Sequence, residues 1–256
     1  MSTDFDRDTE ISADGELILS GRWNGIAGVV NGGYQLAACV KGLARAMPYP
    51  DPVAVSGFFL RPGIPGPAVV QAELLRAGRT MAFGSATLTQ DGKETVRATA
   101  AFSTLSPNDI AFTATSPPHL PPPDECLRYS ASTPGAPAIA GRVDYRIAEP
   151  PGWMHGQPSG NPSLEFWMRF ADGRDADLVS LPLLVDAAPP AALEVGTLST
   201  TVELTVYLRA RPAPGWLACR AVTRYVAGGY HEEDFEVWDS TGTLVAQSRQ
   251  LCMILA

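Results

Sequence analysis

The sequence predicts an α+β fold of two tandem repeats, each a curved antiparallel sheet wrapped around one long helix. Three observations carry this. A nearly uncharged helical stretch, 30–47, is followed by strand-type patterns as far as about residue 105. After a proline-rich interval the same order returns at an offset of about 148–150 residues. A length of 256 residues suits one large domain or two of about 110–130.

The first helix is the best-marked element. Asn31 is placed to cap it, and Pro48 stops it because the residue before a proline leaves the α region. Leu36, Val40, Leu43 and Met47 recur at helical spacing. Lys41 and Arg45 are its only charges, so the helix is expected to be buried. Gly32-Gly33 lets another group come close to its N-terminus, where free N–H groups favour negative charge. Tight packing of the helix start is the competing reading of the pair.

Ahead of the helix, residues 3–10 and 16–20 read as short strands joined by a turn at 13–15. Behind it come strands at 53–61, 68–75, 80–90 and 93–105, with turns at Pro62-Gly63 and Asp91-Gly92. Residues 106–141 hold no convincing element, and Pro117-Pro118-His119-Leu120-Pro121-Pro122-Pro123 reads as a semi-rigid connector. The second half follows with strands at 142–148 and 164–170, an apolar helix at 177–188 stopped by Pro189-Pro190, and strands at 200–210, 216–226, 231–239 and 244–255. Landmarks support a repeat. Arg61 before a Pro/Gly loop matches Arg209 before Arg211-Pro212-Ala213-Pro214-Gly215, and the intervals 61–92 and 209–242 differ by two residues. The expected division is therefore 1–115, a linker at 116–140, and 141–256.

Composition excludes several classes. The formal net charge is −8 and no basic cluster occurs, which argues against nucleic acid and anionic membrane surfaces. The N-terminus is acidic and lacks an apolar core, so no signal peptide is expected. No apolar run approaches the ~20 residues of a membrane span, and a cytoplasmic protein follows. Cys39, Cys126, Cys219 and Cys252 show no metal-type spacing, so reduced thiols and no metal are expected. No Gly-x-Ser-x-Gly elbow, P-loop or dinucleotide fingerprint is present. His119, His155 and His231 fall in linker, loop and strand start, where solvated rings are expected. Trp153, Phe166 and Trp167 read as core.

One acid stands out. Asp186 lies in Leu183-Leu184-Val185-Asp186-Ala187-Ala188-Pro189-Pro190, in the last turn of an apolar helix. It faces the negative end of the helix dipole, at a cost of roughly 0.3–1 kcal/mol. Apolar neighbours raise its pKa, which marks a functional candidate. An aspartate capping a turn ahead of Pro-Pro is the competing reading, and the residues alone do not decide between them.

The order of an Asn31-Gly32-Gly33-Tyr34 helix, a long strand ending in Leu60-Arg61-Pro62 and a meander with Arg79-Thr80 resembles the thioesterase-like hotdog superfamily. With the second half, the chain is similar to the double-hotdog acyl-CoA thioesterases, over nearly all residues except the linker. The resemblance implies hydrolysis of an acyl thioester by a water activated by Asp186, Thr201 and Gln250. Thr201 is chosen by counting back from Arg209. Thr200 is one residue away, and the two cannot both face a site in a regular strand. It further implies a site between the repeats, with Asn31, Gly32, Gly33 and Tyr34 supplying backbone donors for an oxyanion. No cofactor is implied, since coenzyme A is part of the substrate; the partner is a small-molecule acyl thioester. A homo-oligomer, dimer or higher, is also implied. Arg61, Arg79, Arg209 and Arg211 are candidates for the coenzyme phosphates or simply exposed arginines at strand ends. Hotdog hydratases carry a histidine five residues after the aspartate, where this chain has Ala191. The alternative retained is a non-catalytic double-hotdog protein that binds acyl-CoA or a fatty acyl group. It predicts Asp186, Thr201 and Gln250 beyond hydrogen-bond reach of one another.

Overall fold

A computed structural model describes residues 2–106 and 112–255. The chain begins with a short helix, α1 (Asp4–Asp8), where alternation pointed to a strand. The stretch has one apolar residue, Phe5, so periodicity carries no weight there. Thr3 caps the helix, and Asp4 and Asp6 sit at its positive end. Five residues are too few for a helix to stand alone. Remote side chains hold it: Asp8 accepts from Arg22 at 2.6 and 2.7 Å and from Trp23 Nε1 at 2.8 Å. Phe5 is buried against Trp23 and Phe170.

Strand β1 (Glu16–Leu19) and two 3₁₀ turns lead into α2 (Gly32–Ala46). Asn31 caps α2, its Oδ1 accepting from Tyr34 N at 2.9 Å. Fifteen residues make a rod of about 22 Å. Leu36, Ala37, Ala38, Cys39, Val40 and Leu43 are fully buried, and each such leucine contributes about 2 kcal/mol of apolar burial. Strands β2 (Asp51–Phe59), β3 (Gly66–Ala77), β4 (Ala82–Gln90) and β5 (Lys93–Ser103) pack on this helix. The approach is close: a Cβ at Gly57 would sit 2.7 Å from Leu36 Cδ1.

The interval 106–141, expected to lack elements, carries β6 (Leu127–Tyr129) and 3₁₀ turns at Pro123–Glu125 and Ala138–Gly141 among its described residues. Its proline-rich part is pinned to the second sheet, Trp167 Nε1 donating to Pro121 O at 2.8 Å. Strands β7 (Val143–Ile147) and β8 (Ser163–Phe170) precede α3 (Leu181–Ala187).

Helix α3 is shorter than the expected 177–188. Asp177 N donates to Ser180 Oγ and Ser180 N to Asp177 Oδ1, at 2.9 and 2.8 Å, which holds the segment before it in a turn. Ala188 is extended because Pro189 follows. A 3₁₀ turn at Ala191–Val195 leads to β9 (Ser199–Leu208) and β10 (Leu217–Val222). The latter ends four residues early, because Glu232 accepts from the N–H groups of Arg224 and Tyr225 and bends the chain. Short β11 (Val226–Ala227), then β12 (Tyr230–Trp238) and β13 (Leu244–Ile254), complete the fold.

Twelve strands form one antiparallel path, β1-β3-β4-β5-β2-β9-β13-β12-β10-β8-β7-β6, with β11 on β12. The ten strands from β1 to β8 are mirrored about the central β2–β9 pair. Across that seam Ser56 pairs with Thr205, their hydroxyls 2.8 Å apart, at an offset of 205 − 56 = 149. The β2–β5 ladder skips Val53 and the β9–β13 ladder skips Val202, again 149 residues apart. Helices α2 and α3 pack against each other, α2 starting at Gly32 and α3 at Leu181.

Candidate active site

The contact between α2 and α3 brings the N-terminus of one helix to the last turn of the other. Gly33 makes this possible: a Cβ there would lie 2.4 Å from Pro182 O and 2.6 Å from Asp186 Cβ. A Cβ at Gly32 would meet Phe59 Cε1 at 2.8 Å and Asp186 Oδ2 at 3.2 Å. The sequence offered two readings of this glycine pair, close approach and tight packing, and both hold.

Asp186 Oδ2 accepts from Gly33 N at 2.7 Å and from Asn31 Nδ2 at 2.9 Å. The same Asn31 amide donates to Asp186 O at 2.9 Å. Its own helix turns a negative end toward the carboxylate, and α2 offsets this by presenting its positive end. Oδ1 is less engaged, with Thr201 Oγ1 at 3.3 Å. Thr201 Oγ1 is also 3.0 Å from Gln250 Oε1. Asp186, Thr201 and Gln250 thus lie within hydrogen-bond reach.

Thr201, rather than Thr200, faces the acid, and the skipped Val202 is the reason. Leu204, Val206 and Leu208 point inward, so unbroken alternation would carry Thr200 in with them. The bulge reverses the phase, pairs Thr201 with Cys252 and leaves Thr200 exposed. Gln250 is buried on the inner face with Ser248 and Cys252, as alternation predicts.

The expected backbone donors are largely in use. Gly33 N–H serves Asp186 and Tyr34 N–H serves the Asn31 cap. The Tyr34 side chain points away: its ring stacks on Trp23 at 5.5 Å and its hydroxyl donates to Asp8 O. Among the described residues, Gly32 N–H takes no protein acceptor.

Burial raises Asp186, and the bonds from Gly33, Thr201 and Asn31 only partly counter it, leaving the carboxyl at about 6. Behind Gln250 lies a second acid that the sequence reading passed over. Glu233 is buried on β12, accepting from Gln250 Nε2 at 3.0 Å and from Ala191 N at 2.6 Å. Burial pushes it up to about 7. Alternation read back from inward Phe235 and Val237 would have found it, but Glu232 and Asp234 beside it give the look of a solvated acidic run. His231, expected to be solvated, is buried, with Nε2 2.8 Å from Ser199 Oγ.

An open depression of about 1330 Å³ along β1 and β3 does not include these residues. A second, about 770 Å³, lies over β9, β12 and β13 and holds Arg209, Arg220, Arg224 and Arg249. Among the described residues no group of three or more His, Cys, Asp or Glu could hold a metal. None of the described helices is long and apolar enough to cross a membrane.

Comparison with known proteins identifies the family. Residues 19–103 match the model of the acyl-CoA thioesterase N-terminal domain, and residues 121–254 that of the C-terminal domain. The chain is similar to a structure from Thermobifida fusca YX named as a candidate thioesterase II, with 31% identity, TM-score 0.89, and 99% and 98% of the two chains covered. A protein of unknown function with a hotdog fold from Alicyclobacillus acidocaldarius gives 25% identity, TM-score 0.88, and coverage of 100% and 99%. An acyl-CoA thioesterase II from Mycobacterium marinum, at 18% identity and TM-score 0.70 over 98% of both chains, shares the fold. The large antiparallel sheet with its buried helix is a hotdog fold, and the chain belongs to the acyl-CoA thioesterase family.

Proposed function

We propose that the protein hydrolyses an acyl-CoA thioester with a water that Asp186 deprotonates and that Thr201 and Gln250 orient. The observation that carries this is the meeting of four elements on one carboxylate. Helix α2 gives Asn31 and Gly33, α3 gives Asp186, β9 gives Thr201, and β13 brings Gln250 behind it. Two donors fix Oδ2, which leaves Oδ1, on the Thr201 side, as the oxygen that takes the water's proton. A carboxyl at about 6 is ionised at neutral pH and is a stronger base than an exposed aspartate. The hydroxide attacks the thioester carbon; the carbonyl oxygen gains charge and is met by Gly32 N–H at the positive end of α2. Collapse breaks the C–S bond and expels the coenzyme thiolate, which takes from Asp186 the proton that came from water, and the carboxylic acid leaves.

The same proposal includes a double hotdog. The mirrored strand order, the recurring bulge and the two successive family matches, at 19–103 and 121–254, support two hotdog units. No metal and no cofactor take part, the site of action is the cytoplasm, and the chain self-associates. The non-catalytic reading required the three polar residues to stand apart, and distances of 3.0 and 3.3 Å favour catalysis.

The test is release of free thiol from acyl-CoAs of several chain lengths. Wild type should turn over at least one, and Asp186→Asn should lower kcat by about 10²–10⁴. Equal rates for the two proteins across the panel would refute the proposal.

A further inference from the structure

Glu233 does not touch the place where substrate would react, yet it is joined to Asp186 by one amide and one hydroxyl. The chain of contacts runs from Glu233 Oε1 to Gln250 Nε2 at 3.0 Å, from Gln250 Oε1 to Thr201 Oγ1 at 3.0 Å, and from Thr201 Oγ1 to Asp186 Oδ1 at 3.3 Å. The far oxygen of Glu233 is fixed by Ala191 N–H at 2.6 Å.

Other groups around the pair are neutral or turned away. From β7, Tyr145 OH is committed to Ala187 O at 2.6 Å. From β13, the Cys252 thiol is kept protonated by burial beside both acids. On β12 itself, His231 is bonded to Ser199, and Asp234 faces outward to Arg224 and Arg249. Among the described residues, no cation acts on either acid.

Thr201 has one proton, which can go to Asp186 or to Gln250 but not to both. Its choice fixes every other direction. If Thr201 donates to an ionised Asp186, its oxygen must accept from the Gln250 NH₂. The Gln250 carbonyl then faces Glu233, which must carry a proton to meet it. If the Gln250 NH₂ faces an ionised Glu233, as in the structure, the Gln250 carbonyl takes the Thr201 proton. Thr201 can then only accept from Asp186, which must be protonated. The two arrangements differ by a half-turn of one amide, with the same heavy-atom positions.

We propose that Glu233 is a positioning residue that shares one proton with Asp186 through Gln250 and Thr201, so that Asp186 is held as a bonded, ionised base only while Glu233 is neutral. No bond to carbon changes; one proton moves from Asp186 to Glu233 as Gln250 turns. The ordering of the two acids agrees. Glu233 stands at about 7 and Asp186 at about 6, so on raising the pH Asp186 ionises first and Glu233 keeps its proton. Above about 7 both are ionised, and the Thr201 proton has two competing acceptors. The kinetic side of this inference rests on the thioesterase reading; the spectroscopic side does not.

The test is Glu233→Gln in the full chain. Ala191 N–H selects the new carbonyl, so the new NH₂ faces Gln250 and fixes its amide in the first orientation at every pH. Wild-type kcat should rise through pH 6 and fall above pH 7, by up to about tenfold per unit as Glu233 loses its proton. The variant should retain the rise and lose the fall, exceeding wild type at least fivefold at pH 8.5. An unchanged alkaline fall, or a folded variant inactive at every pH, would overturn the proposal. Infrared spectra give the second readout. At pH 6.5 wild type should show the C=O stretch of a protonated buried carboxyl, and the variant should lose most of it, keeping only the minor share that belongs to Asp186. No such band in wild type, or a band undiminished in the variant, would overturn the proposal whether or not any thioester is hydrolysed.

Discussion

Replacing Asp186 by asparagine should inactivate the protein and make it more stable. The Asp186 carboxyl stands at about 6 in the folded chain against 3.8 for a free aspartate, chiefly because burial disfavours its charge. The sign follows. Folding holds the proton more tightly than the unfolded chain does, so ionised Asp186 weakens the folded state. The penalty is absent below pH 3.8, grows between 3.8 and 6, and is full above 6. A shift of about 2.2 units is worth about 3 kcal/mol at most, and the residue's partial exposure makes about 1–3 kcal/mol the expected range. Asparagine fits the same bonds: its carbonyl can accept from Gly33 and Asn31, and its NH₂ can donate to Thr201. Urea unfolding of both proteins at pH 5 and pH 8 is the assay. The advantage of Asp186→Asn should be larger at pH 8, by about 1.4 kcal/mol in the full-shift limit. An advantage equal at both pH values, or a variant less stable than wild type at pH 8, would show that the carboxylate carries no burial penalty, and the argument for its basicity would fail with it.

Other substitutions separate the parts of the site. Thr201→Ala should lower kcat at least tenfold, whereas Thr200→Ala, on the exposed face, should leave thiol release within twofold of wild type. Gly33→Ala should destabilise by about 2 kcal/mol or more, because its methyl meets the Pro182 carbonyl and Asp186; thermal unfolding measures it. Asn31→Ala removes both a helix cap and a donor to Asp186, so stability should fall by about 1 kcal/mol and the acid limb of the rate profile should move up in pH. Prolonged dialysis against EDTA should leave the rate unchanged, and a loss restored by a divalent ion would refute the metal-free mechanism.

The sequence made α2 legible because its signals were local: a capping asparagine, a stopping proline and apolar residues at helical spacing. The long strands were legible through alternation and their Asp-Gly, Thr-Gly and Pro-Gly turns. Helix α1 was misread because its structure depends on partners such as Trp23, Arg22 and Phe170, which no local window contains. Helix α3 was overextended because the Asp177–Ser180 turn is a matter of side-chain bonds rather than hydropathy. Asp186 was visible as an acid among apolar residues. Thr201 was selected only by resemblance, since the bulge at Val202 reverses the face that alternation assigns. Glu233 carried a signal in its phase with Phe235 and Val237, masked by acidic neighbours on the opposite face.

The two helices are unequal, fifteen residues against seven, and the difference has a use. Strand pairing and the offset of 149 set Glu233 opposite Gly84, Gln250 opposite Ala100, Thr201 opposite Pro52 and Asp186 opposite Ala37. In the first half α2 continues past that point, and a Cβ at Gly84 would strike Met47 Cε at 2.5 Å and Leu43 Cδ2 at 2.8 Å. In the second half Pro189 and Pro190 end α3 two turns sooner, and the room so vacated houses an amide and an acid. The shorter rod thus leaves polar side chains at positions that, in the first half, lie against the continuing helix. On the proposed mechanism each polypeptide then carries one reaction centre, on the side of the shorter helix.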